Sequence, residues 1–300
     1  MSTLSAVIEK VRPTTEDDIT AEVLRRFENT TDPRLREIMQ SLVRHVHAFI
    51  KDVQLSEKEW WRGIDFLTKT GQKCDAERQE FILLSDVLGV SMVTDLIGNR
   101  KPAGATESTV FGPFHRHGAP ELPPGGDMRS VERGGITAMI SGRVLDLQGH
   151  PIANALLDVW QAAPDGLYDV QDTTLDKTNM RGKYRTDAQG RYLVKSTRPV
   201  PYMIQSDGPV GQMLRAANRS PWRPAHVHFV VSADGYSPVT THIFDAGSQY
   251  LNDDAVFGVK NSLIVDFVAH NTADEASRQF GVAPPFVTAE YDFVLAPLTK

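Results

Sequence analysis

The stretch V-T-A-E-Y-D-F-V-L, residues 287–295, decides the fold class. Val287, Ala289, Tyr291, Phe293 and Leu295 alternate with Thr288, Glu290, Asp292 and Val294. A period of two sends the first set to one face of a pleated strand and the second to the other, leaving one face apolar. Working back along the chain, the same texture recurs in SLIVDFVAH (262–270), TTHIFD (240–245) and AHVHFVVS (225–232). ITAMISGRVLD (136–146), the turn LQGHP and ANALLDVWQA (153–162) read as one strand pair. YRTD (184–187), AQG and RYLVKS (191–196) read as another, with Gly190 supplying the turn. Many short strands punctuated by Gly, Pro and Asp indicate a β-sandwich. Residues 115–135, including HGAPELPPGGD, read as a surface loop, and no internal repeat is present.

Before about residue 105 the period is helical. Asp32 before Pro33 fits an N-cap followed by proline at the first helical position. Leu35, Ile38, Met39, Leu42, Val43, Val46, Phe49 and Ile50 then recur at steps of three and four, which makes one apolar stripe. Ser56 with Glu59 forms a capping box ahead of Trp60, Ile64 and Leu67, and Gly71 closes that helix. Asp75 opens a third helix through Phe81, Leu84, Leu88 and Val93, ending at Gly98. The expected fold is therefore mainly β with a helical N-terminal segment: residues 1–105 helical, residues 106–300 a β-sandwich.

Composition narrows the function classes. Of 300 residues, 41% are hydrophobic and 23% charged, enough apolar surface to offset ordering entropy, so disorder is excluded for most of the chain. Against 38 acidic residues stand 32 basic ones, a net charge of −6, which argues against nucleic acid or an acidic membrane surface as the main partner. One cysteine, Cys74, excludes an internal disulfide and a cysteine-based metal cluster. The first residues contain no apolar core of a signal sequence and no run of about 18 apolar residues follows, so a cytoplasmic, non-membrane protein is expected. Any metal must be held by His, Tyr, Asp or Glu.

Among the nine histidines, His45 and His47 lie two apart on a helix and point to opposite sides. His226 and His228 lie two apart on a strand, where both leave the same face and can meet one ion, while Val227 and Phe229 turn to the core. By itself that pair is equally a polar strand face. His115 and His117 sit in a Pro/Gly-flanked loop and read as solvent-exposed; His150 and His270 read as turn or surface residues. HExxH, GxSxG and P-loop signatures are absent from the sequence. Tyr168 in DGLYD and Tyr202 in PVPYMIQ are bounded by turn formers, and nothing in composition alone promotes them.

Taken together, WQAAPDGLYD (160–169), RPVPYMIQSDGPVG (198–211) and WRPAHVHF (222–229) resemble the intradiol ring-cleavage dioxygenases, which use non-haem iron(III). VFGPF (110–114), YLNDDAVFGVK (250–260) and the helical start match as well, so the resemblance covers most of the chain. It implies one iron(III) per subunit held by Tyr168, Tyr202, His226 and His228, cleaving an aromatic 1,2-diol with dioxygen to a muconate. Hard iron(III) favours anionic oxygen, and phenolate is such a donor. Tyr202 is implied to be the ligand that the substrate displaces, and Arg223 to be the active-site arginine that steadies developing negative charge. The implied substrate pocket comprises Leu83, Asp86, Val110, Phe111, Gly112, Pro113, Phe114, Ile204, Gln205, Arg223 and Val256. An acidic residue at position 86 with VFGPF most resembles members that cleave hydroxyquinol, benzene-1,2,4-triol, with catechol or chlorocatechol as the alternative. Gln205 stands where many relatives have proline, and His242 where catechol-cleaving members commonly have glutamine; His242 is a candidate partner of the site. Homodimerisation through the N-terminal helices, with a lipid in an apolar tunnel, is also implied. A non-catalytic transthyretin-like binding module is the reading from another class, since GRVLDLQGHPIANALLDVW and TDAQGRYLV resemble strand pairs of such modules.

Overall fold

The alternating segments do become strands, and they assemble as two stacked sheets. In the computed structural model, which describes residues 14–175 and 178–298, the chain forms two units, Met1–Thr68 and Lys69–Lys300.

The first unit is helical. Thr15 and Asp18 close a capping box on α1 (Glu16–Phe27). The Asp32 carboxylate accepts the N–H groups of Arg34 and Leu35 at the start of α2 (Pro33–Asp52). Ser56 donates to Glu59 ahead of α3 (Glu57–Gln72), which runs one residue past Gly71. The apolar stripe of α2 is open: Leu42 is 51% and Phe49 55% exposed, and none of the α2 residues is buried.

In the second unit, the single helix expected from Asp75 to Gly98 is two. The Asp75 carboxylate accepts the N–H groups of Glu77 and Arg78, closing a turn instead of opening a helix. Then α4 (Glu80–Val87) and α5 (Val90–Gly98) meet at 78° across Leu88 and Gly89, where Gly89 adopts a positive φ of 74°.

One sheet is built on β1 (Thr137–Asp146), antiparallel to β4 (Arg191–Thr197) and parallel to β11 (Phe286–Glu290) and β12 (Phe293–Leu295); β10 (Val268–His270) completes it. The other runs β3 (Arg181–Arg185), β2 (Leu156–Trp160), β7 (His226–Ser232), β8 (Val239–Asp245), β9 (Ile264–Val265). A small ribbon pairs β5 (Tyr202–Met203) with β6 (Trp222–Arg223), and α6 (Pro209–Ala216) and α7 (Glu275–Phe280) lie in connections.

The two expected strand pairs are not hairpins. β1 and β2 enter opposite sheets, the turn between them held to β1 by the bridge Leu145 to Pro151, and β3 and β4 likewise part company. Each strand carries apolar residues that need the facing sheet, so the tight turns act as corners between layers. Val144, Val194, Val287 and Phe293 of one sheet and Leu157, Val159, Val227, Phe229 and Ile243 of the other form the common core. The final segment is likewise broken, into β11 and β12, where Tyr291 donates its N–H to Ser141 O. A Cβ at Gly142 would lie 1.9 Å from the Tyr291 carbonyl oxygen, so only glycine permits that approach. As expected for β7, Val227 and Phe229 enter the core; Val231 joins them, and His226 and His228 are buried on the other side.

Candidate active site

Strand register sets up the site. Trp160 on β2 is the cross-strand partner of Arg181 on β3 and of His228 on β7, and His228 is the partner of His242 on β8. Arg181, Trp160, His228 and His242 therefore form one row across four strands. Tyr202 and Arg223 face each other across the β5–β6 ribbon. Tyr168 comes from the loop after β2; next to it, Asp169 forms a buried ion pair with Arg181 and accepts the N–H of Asn179. That pairing ties the loop to the sheet.

Four donors suggested by the resemblance converge. Tyr168 Oη lies 2.9 Å from His228 Nε2 and 3.5 Å from His226 Nε2, and the two Nε2 atoms are 3.2 Å apart. The Tyr202 ring meets that of Tyr168 edge-on at 5.5 Å and that of His226 at 5.5 Å. Atoms about 2.0–2.1 Å from one shared ion stand roughly 2.9–3.4 Å apart at ordinary ligand angles, so this spacing fits a metal site. His226 Nδ1 donates to the Pro224 carbonyl, 2.7 Å away, which leaves its Nε2 as a lone pair. The histidine cluster that could hold a metal also includes His242. Its Nε2, however, lies 2.7 Å from His228 Nδ1, on the far side of that ring from the donor cluster.

Electrostatics agree with such a site. Burial holds His226, His228 and His242 well below the usual imidazole range, so they are neutral donors. Burial, with the Tyr202 hydroxyl close by, pushes Tyr168 well above the usual phenol range. A highly charged cation is what would make phenolate the favoured form there, and the donor set fits one.

Arg223 is buried and permanently charged. Its Nη1 lies 3.4 Å from Tyr202 Oη and 3.2 Å from His226 Nε2, while Nε donates to Asp254 Oδ1 at 3.1 Å. Asp254, within the YLNDDAVFGVK motif, also accepts the N–H groups of Val256 and Gly258. Sequence reasoning missed Asp254, because nothing in a run of two aspartates says which one meets an arginine 31 residues away. Replacing Asp254 with Ala is expected to cost about 3–5 kcal/mol, since a buried guanidinium would lose its counter-ion. Urea unfolding of the variant and parent measures this; a loss below about 1 kcal/mol would mean the pair is dispensable.

Beside these donors is a small, mostly enclosed cavity. Leu83, Asp86, Val110, Gly112, Pro113, Phe114, Ile204, Gln205, Arg223 and Val256 line it. Phe111 does not: Gly112, at a φ of +74°, turns the chain so that Phe111 packs on Trp160 and His115 beside a separate cleft. A Cβ at Gly112 would sit 3.3 Å from the His228 ring, so this glycine lets the loop lie against it. Phe114 stacks on Tyr168 at 4.6 Å. Glu77, Arg78 and Gln79 add a polar edge that the sequence did not reveal. Arg78 bridges buried Glu80 and Asp207, and Glu80 accepts the Val210 N–H, which steadies the loop after Tyr202.

The other histidines divide. His117 is exposed, but His115 is not: it pairs with Asp158 at 3.2 Å, because the loop folds onto the Trp160 ring. His270 is also no mere surface residue; it lies on β10, bonded to Asp274 and Thr288.

Comparison with known proteins then places the chain. A family model described as "Dioxygenase" matches residues 111–297, and one described as "Catechol dioxygenase N terminus" matches residues 32–106. Hydroxyquinol 1,2-dioxygenase of Rhizobium sp. (strain MTP-10005) is 47% identical, covering 91% of this chain and 93% of the relative. 6-Chlorohydroxyquinol 1,2-dioxygenase of Cupriavidus pinatubonensis is 46% identical over 94% of this chain and 98% of its own. Among solved structures, hydroxyquinol 1,2-dioxygenase from Pseudomonas putida DLL-E4 superposes with a TM-score of 0.89 at 49% identity, covering 94% of this chain and 99% of that one. Catechol 1,2-dioxygenase from Pseudomonas arvilla C-1 gives 0.82 at 31% identity, covering 94% and 93%. With the two-layer β fold, its helical N-terminal segment and the Tyr/His cluster all in place, the chain belongs to the intradiol ring-cleavage dioxygenase family.

Proposed function

We propose that this enzyme cleaves benzene-1,2,4-triol between its two adjacent hydroxyl-bearing carbons, using one iron(III) held by Tyr168, Tyr202, His226 and His228. Iron bound there supplies a Lewis acid and a template that brings diol and dioxygen together without an external reductant. The rest is done by the chain. Tyr202, on a two-residue ribbon strand between Pro201 and the 204–208 loop, would hold the iron with its Oη and would be the group to take a diol proton there. Arg223, held by Asp254, faces Tyr202 and steadies negative charge as it develops on the ring. Leu83, Val110, Phe114, Ile204 and Val256 pack the ring and exclude water.

The substrate reading is carried by Asp86. Asp86 is 5% exposed on a mainly apolar wall, and burial raises the pKa of its carboxyl group. A third ring hydroxyl would give it a donor; plain catechol would leave it facing carbon. Relatives named for hydroxyquinol support the same choice. Initial rates on benzene-1,2,4-triol, catechol and a chlorocatechol test it: higher kcat/KM on catechol would overturn the substrate, and a colourless protein free of iron would overturn the site.

The helical segment 1–105 is proposed to join two copies of the chain through the open α2 stripe. Light scattering is expected to give twice the monomer mass, and Phe49→Glu, placing a charge on the 55%-exposed ring position, to shift the protein toward monomer. An unchanged dimer would move the interface elsewhere. Mass spectrometry of an organic extract tests the lipid that the resemblance implies.

A further inference from the structure

His228 is gripped from two sides. The Trp160 indole stacks on its ring at 4.6 Å and 14°, and His242 meets it edge-on at 4.1 Å, with His242 Nε2 2.7 Å from His228 Nδ1. All three are cross-strand partners, so sheet register holds the arrangement. One hydrogen fits between the facing nitrogens: one ring donates and the other accepts. Were His242 the donor, His228 would carry its own hydrogen on Nε2, the atom that faces Tyr168 Oη and His226 Nε2, and no lone pair would remain there. With His228 as donor, its Nε2 lone pair faces the donor cluster and the hydrogen of His242 sits on Nδ1. That atom is buried without a hydrogen-bond partner among the described residues. A buried donor without an acceptor is costly, and the hydrogen bond that the His242 ring does make is the one to His228. His226 has no such ambiguity, since a carbonyl can only accept from it.

We propose that His242 is a positioning residue: it accepts the Nδ1–H of His228 and, with Trp160 stacked against the same ring, locks the tautomer whose Nε2 lone pair faces Tyr168 and His226. The assignment rests on reading His228 as an iron ligand. The holoenzyme tests that reading first, because iron content and a visible phenolate charge-transfer band in the parent protein are read before any variant is made. His242→Leu removes the acceptor; His242→Gln keeps one in its side-chain carbonyl. The rate of iron loss to a chelator is expected to rise at least about 10-fold in His242→Leu, with a displaced charge-transfer band, and to stay near the parent value in His242→Gln. Iron loss and band both unchanged in His242→Leu would overturn the proposal. So would equal impairment of the two variants, which would mean that packing alone matters. Should the leucine variant fail to fold, His242→Met, close in size and a poor acceptor, takes its place with the same two outcomes.

Discussion

Replacing His228 with alanine is expected to give a folded protein that retains iron at least about 10–100-fold more weakly than the parent and has lost its visible charge-transfer band. The expectation follows from where the imidazole stands. Its Nε2 is 2.9 Å from Tyr168 Oη and 3.2 Å from His226 Nε2, so one substitution takes a vertex out of the donor cluster. Substituting for the missing nitrogen is not open to its neighbours. His242 Nε2 is directed at the deleted Nδ1, and the Asp254 carboxylate is committed to Arg223. The fold should survive, because β7 puts Val227, Phe229 and Val231 into the core and His228 on the other face. His117→Ala, at an exposed loop position, is the control. Metal analysis and the visible spectrum of freshly purified protein measure the outcome. Full iron occupancy with unaltered colour in His228→Ala would remove this residue from the ligand set.

Asp86 carries the second large effect. Asp86→Ala is expected to lower kcat/KM on benzene-1,2,4-triol by about 10–150-fold, the factor for losing a hydrogen bond to a charged group worth about 1.5–3 kcal/mol. On catechol it should leave kcat/KM unchanged or raise it, because the carboxylate no longer faces an unpaired ring edge. Equal losses on both diols would assign Asp86 a structural role only. Stability gives an independent reading with a definite sign. Burial raises the Asp86 pKa above its unfolded value, so the contribution of this group is fully present below the unfolded pKa and is lost as pH rises through the folded one. Near neutral pH the ionised side chain therefore costs stability. Asp86→Asn, nearly isosteric, should unfold at a denaturant concentration no lower than the parent at pH 7, and its advantage should shrink as pH falls toward 4. A variant clearly less stable at pH 7 would mean that the carboxylate is a structural anchor.

Much of the site was legible from local pattern. Two histidines at i and i+2 on a strand must share a face, whatever the strand packs against, and the alternation of Val227 and Phe229 assigned the core to the other one. The two tyrosines were different. Tyr168 and Tyr202 lie in turn-bounded segments whose path local rules do not set, and only a resemblance spread along the chain singled them out. Phe111 shows the opposite failure: a motif of five consecutive residues reads as one wall, yet a left-handed glycine at 112 turns one side chain away from the cavity.

By itself, then, the sequence determined the strand and helix periods, the caps at Asp32 and Ser56, and the common face of His226 and His228, because each of these follows from neighbours a few residues apart. Tertiary structure alone decided that β1 and β2 part into different sheets, that α4 and α5 bend apart at Gly89, and that Arg181, Trp160, His228 and His242 form one row. It also decided that Asp254, and not Asp253, holds Arg223. These are choices of ladder partner and of pairing across long stretches of chain. They are made by the burial of both sheet faces and by the neutralisation of buried charge, which no local window of sequence contains.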